Sequence, residues 1–272
     1  MINSDRKRGR KRGTETHRVY FVGAGPGDPE LLTIKGMRLL QEADVVIYAG
    51  SLVNPKMLDL CPNAERIDSA PLCLDYIVEV MVDRVKHGKR VVRLHSGDPA
   101  FFGAIKEQIA RLREASVDLE VVPGVSSLGA AAAAISSELT VPGISQTVII
   151  TRAAGRTPVP EKEDIALLAE HKATMAVFLS AGLISRLQER LSLHYPPETP
   201  VVIVQHASWP EERVLRTNVA EMAGAIKEAG MDRTAIILIG AALAQGGDES
   251  LLYSPEFSHG YRQAESGEPG SD

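Results

Sequence analysis

Two α/β domains are predicted for this chain, from three observations. Short apolar runs that stop at glycine or proline alternate with stretches of helical periodicity. That rhythm breaks near residues 139–143, where Pro142 and Gly143 fall, and then restarts. The length of 272 residues, 44% of them hydrophobic, suffices for two buried cores.

In the first half, Val19-Tyr20-Phe21-Val22 stops at Gly23 and reads as a buried strand. Residues 31–41 set Leu31, Ile34, Leu39 and Leu40 at helical spacing. Val45-Val46-Ile47-Tyr48 is a second strand, and residues 55–60 form a short helix that stops at Pro62. Residues 75–87 carry Ile77, Val78, Val80, Met81, Val82 and Val85 before Gly88, a helix stop. Val91-Val92-Arg93-Leu94 is a third strand, residues 104–115 a helix, and Leu119-Glu120-Val121-Val122 a fourth strand closed by Pro123-Gly124. This alternation predicts a mostly parallel sheet covered on both faces.

Residues 125–135 include the run Ala130 to Ala134, whose small side chains suit a tightly packed helix. The second half predicts strands over 146–151, 175–179, 201–205, 213–217 and 235–239, with helices over 163–169, 184–193 and 219–229. Residues 201–217 read as a hairpin turning near Trp209-Pro210. The domains are set at 18–140 and 141–247, flanked by tails over 1–17 and 248–272.

The net charge of −5 is unevenly placed. Six of the seven residues from Arg6 to Arg12 are basic, so the rest of the chain is more acidic than the total states. That run and the Gly-, Ser- and acid-rich stretch from Glu265 to Asp272 are expected to be disordered. The acidic body and an aromatic content of 4%, with one tryptophan, Trp209, speak against a nucleic-acid partner, and none is expected. Cys61 and Cys73 match neither a metal-ligand spacing nor a disulfide framework, so no metal site is expected. No apolar stretch approaches the ~20 residues that span a bilayer. With no signal or transit pattern, a cytoplasmic protein without membrane contact is expected.

Three loops at predicted strand ends carry the chemistry. Gly23-Ala24-Gly25-Pro26-Gly27-Asp28-Pro29 follows the first strand. A dinucleotide site would show Gly-x-Gly-x-x-Gly and an acid ending the second strand; here the third glycine is displaced to Gly27 and the strand ends in Ala49-Gly50. Arg93-Leu94-His95-Ser96-Gly97-Asp98-Pro99 lies at the end of the third strand, where open parallel sheets bind ligands. There Asp98 either accepts a ligand hydroxyl or ammonium, or caps a helix with Pro99 in its first turn. Val122-Pro123-Gly124-Val125-Ser126-Ser127 closes the fourth strand, with serines suited to capping or to a cofactor.

Together these loops resemble the tetrapyrrole methylase family. Leu31-Leu32-Thr33-Ile34-Lys35-Gly36 and Ala43-Asp44-Val45-Val46 add to the likeness, which covers residues 18–245. Tyr48-Ala49-Gly50-Ser51-Leu52-Val53 and Asp68-Ser69-Ala70-Pro71-Leu72-Cys73-Leu74-Asp75 are similar to the corrin branch that methylates carbon 11 of the ring. The uroporphyrinogen branch carries Asp where this chain has Ala49, and a basic residue near Ala70.

The resemblance implies two α/β domains with S-adenosylmethionine in the cleft between them, released as S-adenosylhomocysteine. It assigns cofactor contacts to Pro26, Ser96, Gly97, Asp98, Phe101, Ser126 and Ser127, with Leu179, Ala207 and Ala235 from the second domain. It also implies a homodimer. Methyl transfer from a sulfonium needs orientation more than acid–base help, so no general base is assigned and Asp28 stands as a candidate. A polycarboxylate tetrapyrrole requires local cations, and Lys35, Arg38, His95, Arg152, Arg156, His206 and Arg213 are the candidates. A ligand-binding relative without catalysis, and an RNA methylase of the same fold, are the alternatives.

Overall fold

The protein is described here by a computed structural model covering residues 18–244, 246 and 250–264. The basic run from Arg6 to Arg12 and the acidic end from Glu265 lie outside the described residues. The chain divides into two compact units, Met1–Ser126 and Ser127–Asp272.

The first unit is a five-stranded parallel sheet. Its strands are β1 (Val19–Gly23), β2 (Val45–Tyr48), β3 (Glu65–Asp68), β4 (Val91–His95) and β5 (Leu119–Val122), in the order β3-β2-β4-β1-β5. Alternation along the strands splits the core in two. Val22, Val46, Val92, Leu94 and Val122 face helix α1 (Ile34–Gln41) and a 3-10 turn over Pro55–Leu60, which deliver Leu39, Leu40, Met57 and Leu58. Val19, Phe21, Val45, Ile47 and Val91 face α2 (Leu74–Lys86) and α3 (Lys106–Glu114), through Ile77, Met81 and Leu112. Phe21 and Leu40 are fully buried, each contributing about 1.5–3 kcal/mol relative to exposure.

Three local expectations are corrected. The helix expected from residue 31 is broken. Asp28 caps a 3-10 turn over Pro29–Leu31, and α1 begins only after Thr33, whose Oγ1 accepts the Gly36 N–H at 3.0 Å. Ala104 does not begin the third helix, because its φ of 48° is left-handed and α3 starts at Lys106. The fifth strand, β3, was not foreseen: Glu-Arg-Ile-Asp is a mostly exposed edge, without the apolar pattern by which strands are read.

The second unit holds β6 (Val148–Arg152), β7 (Thr174–Phe178), β8 (Pro200–Gln205), β9 (Arg213–Asn218) and β10 (Ala235–Ile239), ordered β6-β7-β10-β8-β9. Only β6 and β7 are parallel; the other pairings are antiparallel, including the expected β8–β9 hairpin. Helix α4 (Ser127–Ala134) lays Ala130 and Ala131 against Ala176, Val202 and Leu238 on one face. Helices α5 (Ile165–Ala169), α6 (Ile184–Leu191) and α7 (Met222–Ala229) cover the other with Ile165, Leu187 and Met222. No helix among the described residues is long and apolar enough to cross a membrane.

Candidate functional site

Because all five strands of the first unit run the same way, their carboxyl ends share one rim. The three motif loops meet there. Ala24 N–H donates to His95 O at 2.7 Å, and Gly25 and Gly97 exchange backbone hydrogen bonds of 3.2 and 2.8 Å. Gly97 has a φ of 64°, open to glycine at little cost. A Cβ on Gly124 would stand 2.3 Å from Gly97 O and 2.8 Å from Gly23 Cα, so the loops after β1, β4 and β5 close only because side chains are missing there.

Asp98 braces the junction. Its Oδ1 accepts the Ala100 N–H at 2.7 Å and its Oδ2 the Gly124 N–H at 3.0 Å. It does not cap a helix, since α3 begins only at Lys106. Beyond it Ser96 is exposed, Gly97 buried, and Phe101 and Phe102 half-exposed. Phe102, at φ 55°, is in the left-handed region with Ala104. Pro26 is buried, and Ser126 and Ser127 are half-buried. Asp28 Oδ1 accepts the Glu30 N–H at 2.9 Å, a capping role.

The sequence reading missed Asn54. It is buried, and its Nδ2 donates to Gly27 O at 2.9 Å while Oδ1 accepts from Lys56 N–H. It ties the loop after β2 to the glycine loop after β1. Its position before Pro55 is the signal that could have found it.

In the second unit the corresponding rim is formed by the ends of β6, β7 and β8 and the start of β10. Leu179 is 68% exposed with φ 53°, and His206, Ser208 and Thr234 are also left-handed. Each such non-glycine residue costs of order 1–3 kcal/mol, and such strain clusters at functional sites. Ala207 is buried, and Ala235 pairs with Gln205.

The candidate cations differ sharply. His95 is buried, stacked on Phe21 at 5.9 Å between centroids. Burial first, and the Arg93 charge second, push its pKa down to about 3. A neutral ring meets a carboxylate as a hydrogen-bond donor and not as a positive charge. Arg93 is itself buried, donating to Ile47 O and Gln108 Oε1. Lys35 is paired with Glu120. Arg152 spends its guanidinium on Ala153 O, Thr157 O and Pro158 O, shaping its own loop. Arg213 donates to Ala229 O at 2.7 Å, at the end of α7. The His206 ring lies 5.5 Å from that of Trp209. Arg38 and Arg156 are exposed, without a side-chain hydrogen bond or ion pair among the described residues. No group of three or more His, Cys, Asp or Glu able to hold a metal occurs among the described residues.

Residues 18–223 match the family described as Tetrapyrrole (Corrin/Porphyrin) Methylases. The chain is 50% identical over 250 residues to a cobalt-precorrin-4 C(11)-methyltransferase of Methanocaldococcus jannaschii, covering 91% of this chain and 96% of that protein. It is 43% identical over 248 residues to a precorrin-4 C(11)-methyltransferase of Pseudomonas aeruginosa, covering 91% and 99%. A solved cobalt precorrin-4 methyltransferase, a cobalamin biosynthetic enzyme, is similar with a TM-score of 0.81 and 49% identity, over 83% of this chain and 95% of that one. A uroporphyrin-III C-methyl transferase from Thermus thermophilus, solved with S-adenosyl homocysteine, is similar with a TM-score of 0.71 and 31% identity, over 83% and 98%. The glycine junction braced by Asp98 thus lies within the matched span, and the chain belongs to the tetrapyrrole (corrin/porphyrin) methylases.

Proposed function

We propose that this protein transfers a methyl group from S-adenosylmethionine to carbon 11 of precorrin-4 or of its cobalt complex, in cobalamin biosynthesis. The observation that carries the reading is the closure of three motif loops at one rim, by Gly23, Gly97 and Gly124 and the Asp98 brace, in a chain related over most of its length to enzymes of that name. The cofactor supplies a methyl group already activated on a sulfonium sulfur. The chain's part is orientation. Pro26, Ser96, Gly97, Asp98, Phe101, Ser126 and Ser127 are assigned to cofactor binding in the first unit, and Leu179, Ala207 and Ala235 in the second. Arg38, Arg156 and His206 are assigned to the substrate's carboxylates. No general base is assigned, because Asp28 is accounted for by its cap. A homodimer in the cytoplasm completes the reading.

The test is direct. S-adenosylhomocysteine at a hundredfold excess over its Kd should stabilise the fold by about 2.7 kcal/mol through mass action. Labelled cofactor with precorrin-4, and separately with its cobalt complex, should give a product one methyl heavier by mass spectrometry. Absence of both the thermal shift and the product overturns the assignment. Sedimentation velocity checks the dimer.

A further inference from the structure

The two segments that carry the likeness to the corrin branch, 48–53 and 68–75, are joined in the structure. The strands β2 and β3 are parallel neighbours, so both segments leave the sheet at the rim that also carries Gly23, Gly97 and Gly124. Ser69 is buried, and both its N–H and its Oγ donate to Tyr48 O, at 2.7 and 2.9 Å. Asp68 Oδ1 accepts two backbone N–H groups, from Gly50 and Ala70, each at 2.9 Å. Those two bonds, Ala70 first, hold the carboxyl below its ordinary range, so it is an anion at neutral pH.

Its other oxygen, Oδ2, accepts no hydrogen bond among the described residues, and the side chain is exposed. A Cβ on Gly50 would stand 2.5 Å from that oxygen. Glycine at this position therefore leaves room for Oδ2. Oδ1 serves the local fold by holding the Gly50 and Ala70 N–H groups, which leaves Oδ2 as the oxygen free for a ligand.

We propose that Asp68 is a specificity-determining residue for the tetrapyrrole, with Oδ2 facing the N–H-bearing centre of the ring. This rests on the substrate class proposed above. A metal-free reduced tetrapyrrole carries N–H donors at its centre and carboxylates around its periphery, whereas in the cobalt complex the central nitrogens hold the metal instead of protons. A fixed anion on the binding rim attracts the N–H donors and repels the carboxylates, so it favours one placement of the ring over those that turn a propionate toward it. Placement decides which ring carbon lies in line with the methyl group.

The experiment compares Asp68→Asn, Asp68→Ala and Gly50→Ala with the parent. Three quantities are measured: KM and kcat for precorrin-4 and its cobalt complex, the Kd for S-adenosylhomocysteine by calorimetry, and Tm. Asp68→Asn keeps an oxygen for the Gly50 and Ala70 N–H groups and replaces the anionic acceptor Oδ2 with a neutral NH2 donor. We expect it to raise the KM of metal-free precorrin-4 about tenfold and that of the cobalt complex far less, leaving cofactor Kd and Tm within the spread of the parent. Asp68→Ala and Gly50→Ala should raise KM at least as far. Parental KM and kcat for metal-free precorrin-4 in Asp68→Asn overturn the inference, as does a parallel loss of cofactor affinity. A parent that binds S-adenosylhomocysteine yet methylates neither tetrapyrrole overturns the substrate assignment, and this inference with it.

Discussion

Asp98 Oδ2 accepts the backbone N–H of Gly124 at 3.0 Å, and through this bond one carboxylate ties the loop after β4 to the loop after β5. Its second oxygen holds Ala100 N–H at 2.7 Å. Asp98→Ala leaves both donors without that acceptor and should cost about 1–3 kcal/mol of stability. Asp98→Asn keeps one oxygen and should cost less. Because the brace shapes the proposed cofactor rim, S-adenosylhomocysteine affinity should fall in the same order. Denaturant melts and calorimetry on the same two variants check both; unchanged affinity would leave Asp98 a brace alone.

Gly124→Ala places a methyl group 2.3 Å from Gly97 O, a backbone atom that no rotamer change can move. The three-loop junction must then open. Overpacking of this kind costs about 1–3 kcal/mol, and the loss should be seen in Tm and in cofactor Kd together. Gly129→Ala is the control: nothing stands within 4 Å of its added Cβ, so cofactor Kd should not change, and Tm should hold or rise because alanine is the better helix former by about 0.5–1 kcal/mol.

His95 gives an acid dependence of known sign. Its pKa is about 3 folded, against 6.5 for the free side chain, through burial first and Arg93 second. The unfolded chain therefore binds the extra proton between those values. Stability is fully present above pH 6.5 and is lost as pH falls toward 3. His95→Phe keeps an aromatic ring on Phe21 and removes the titration, so its stability should fall less steeply over that window. Urea melts at pH 7 and pH 4.5 measure the difference.

Arg152 and Arg156 should separate. Arg156 is exposed and makes no side-chain hydrogen bond, so Arg156→Ala should raise the tetrapyrrole KM with kcat and Tm preserved. Arg152 holds Thr157 O at 3.2 Å and Pro158 O at 2.6 Å. Arg152→Ala should loosen residues 153–158, seen as faster amide exchange there, and lower kcat as well as raising KM. Identical behaviour of the two variants would refute this division.

Much of the fold was legible because its signal is local. Val45 to Tyr48 and Ala235 to Ile239 are apolar runs whose burial the sheet requires, and both appear as strands over those residues. The glycine loops were legible for the same reason: only a close approach or a special φ calls for Gly23, Gly97 and Gly124 in such short spans. Edge strand β3 was not legible, since Glu-Arg-Ile-Asp turns only Ile67 toward the core, too little to leave a pattern. The mixed direction of the second sheet was also hidden, because periodicity says which residues face a core and not which way the neighbouring strand runs.

By itself, then, the sequence determined the alternation of strands and helices, the three loops and the family, all of which rest on residues near one another in the chain. Tertiary structure alone decided what those residues do. It made His95 neutral by burying it beside Arg93, turned Arg152 inward onto its own loop, and set Asp68 against Gly50 across 18 positions of chain. Charge state and hydrogen-bond partner depend on distance and desolvation in space, and no local run of residues carries either quantity.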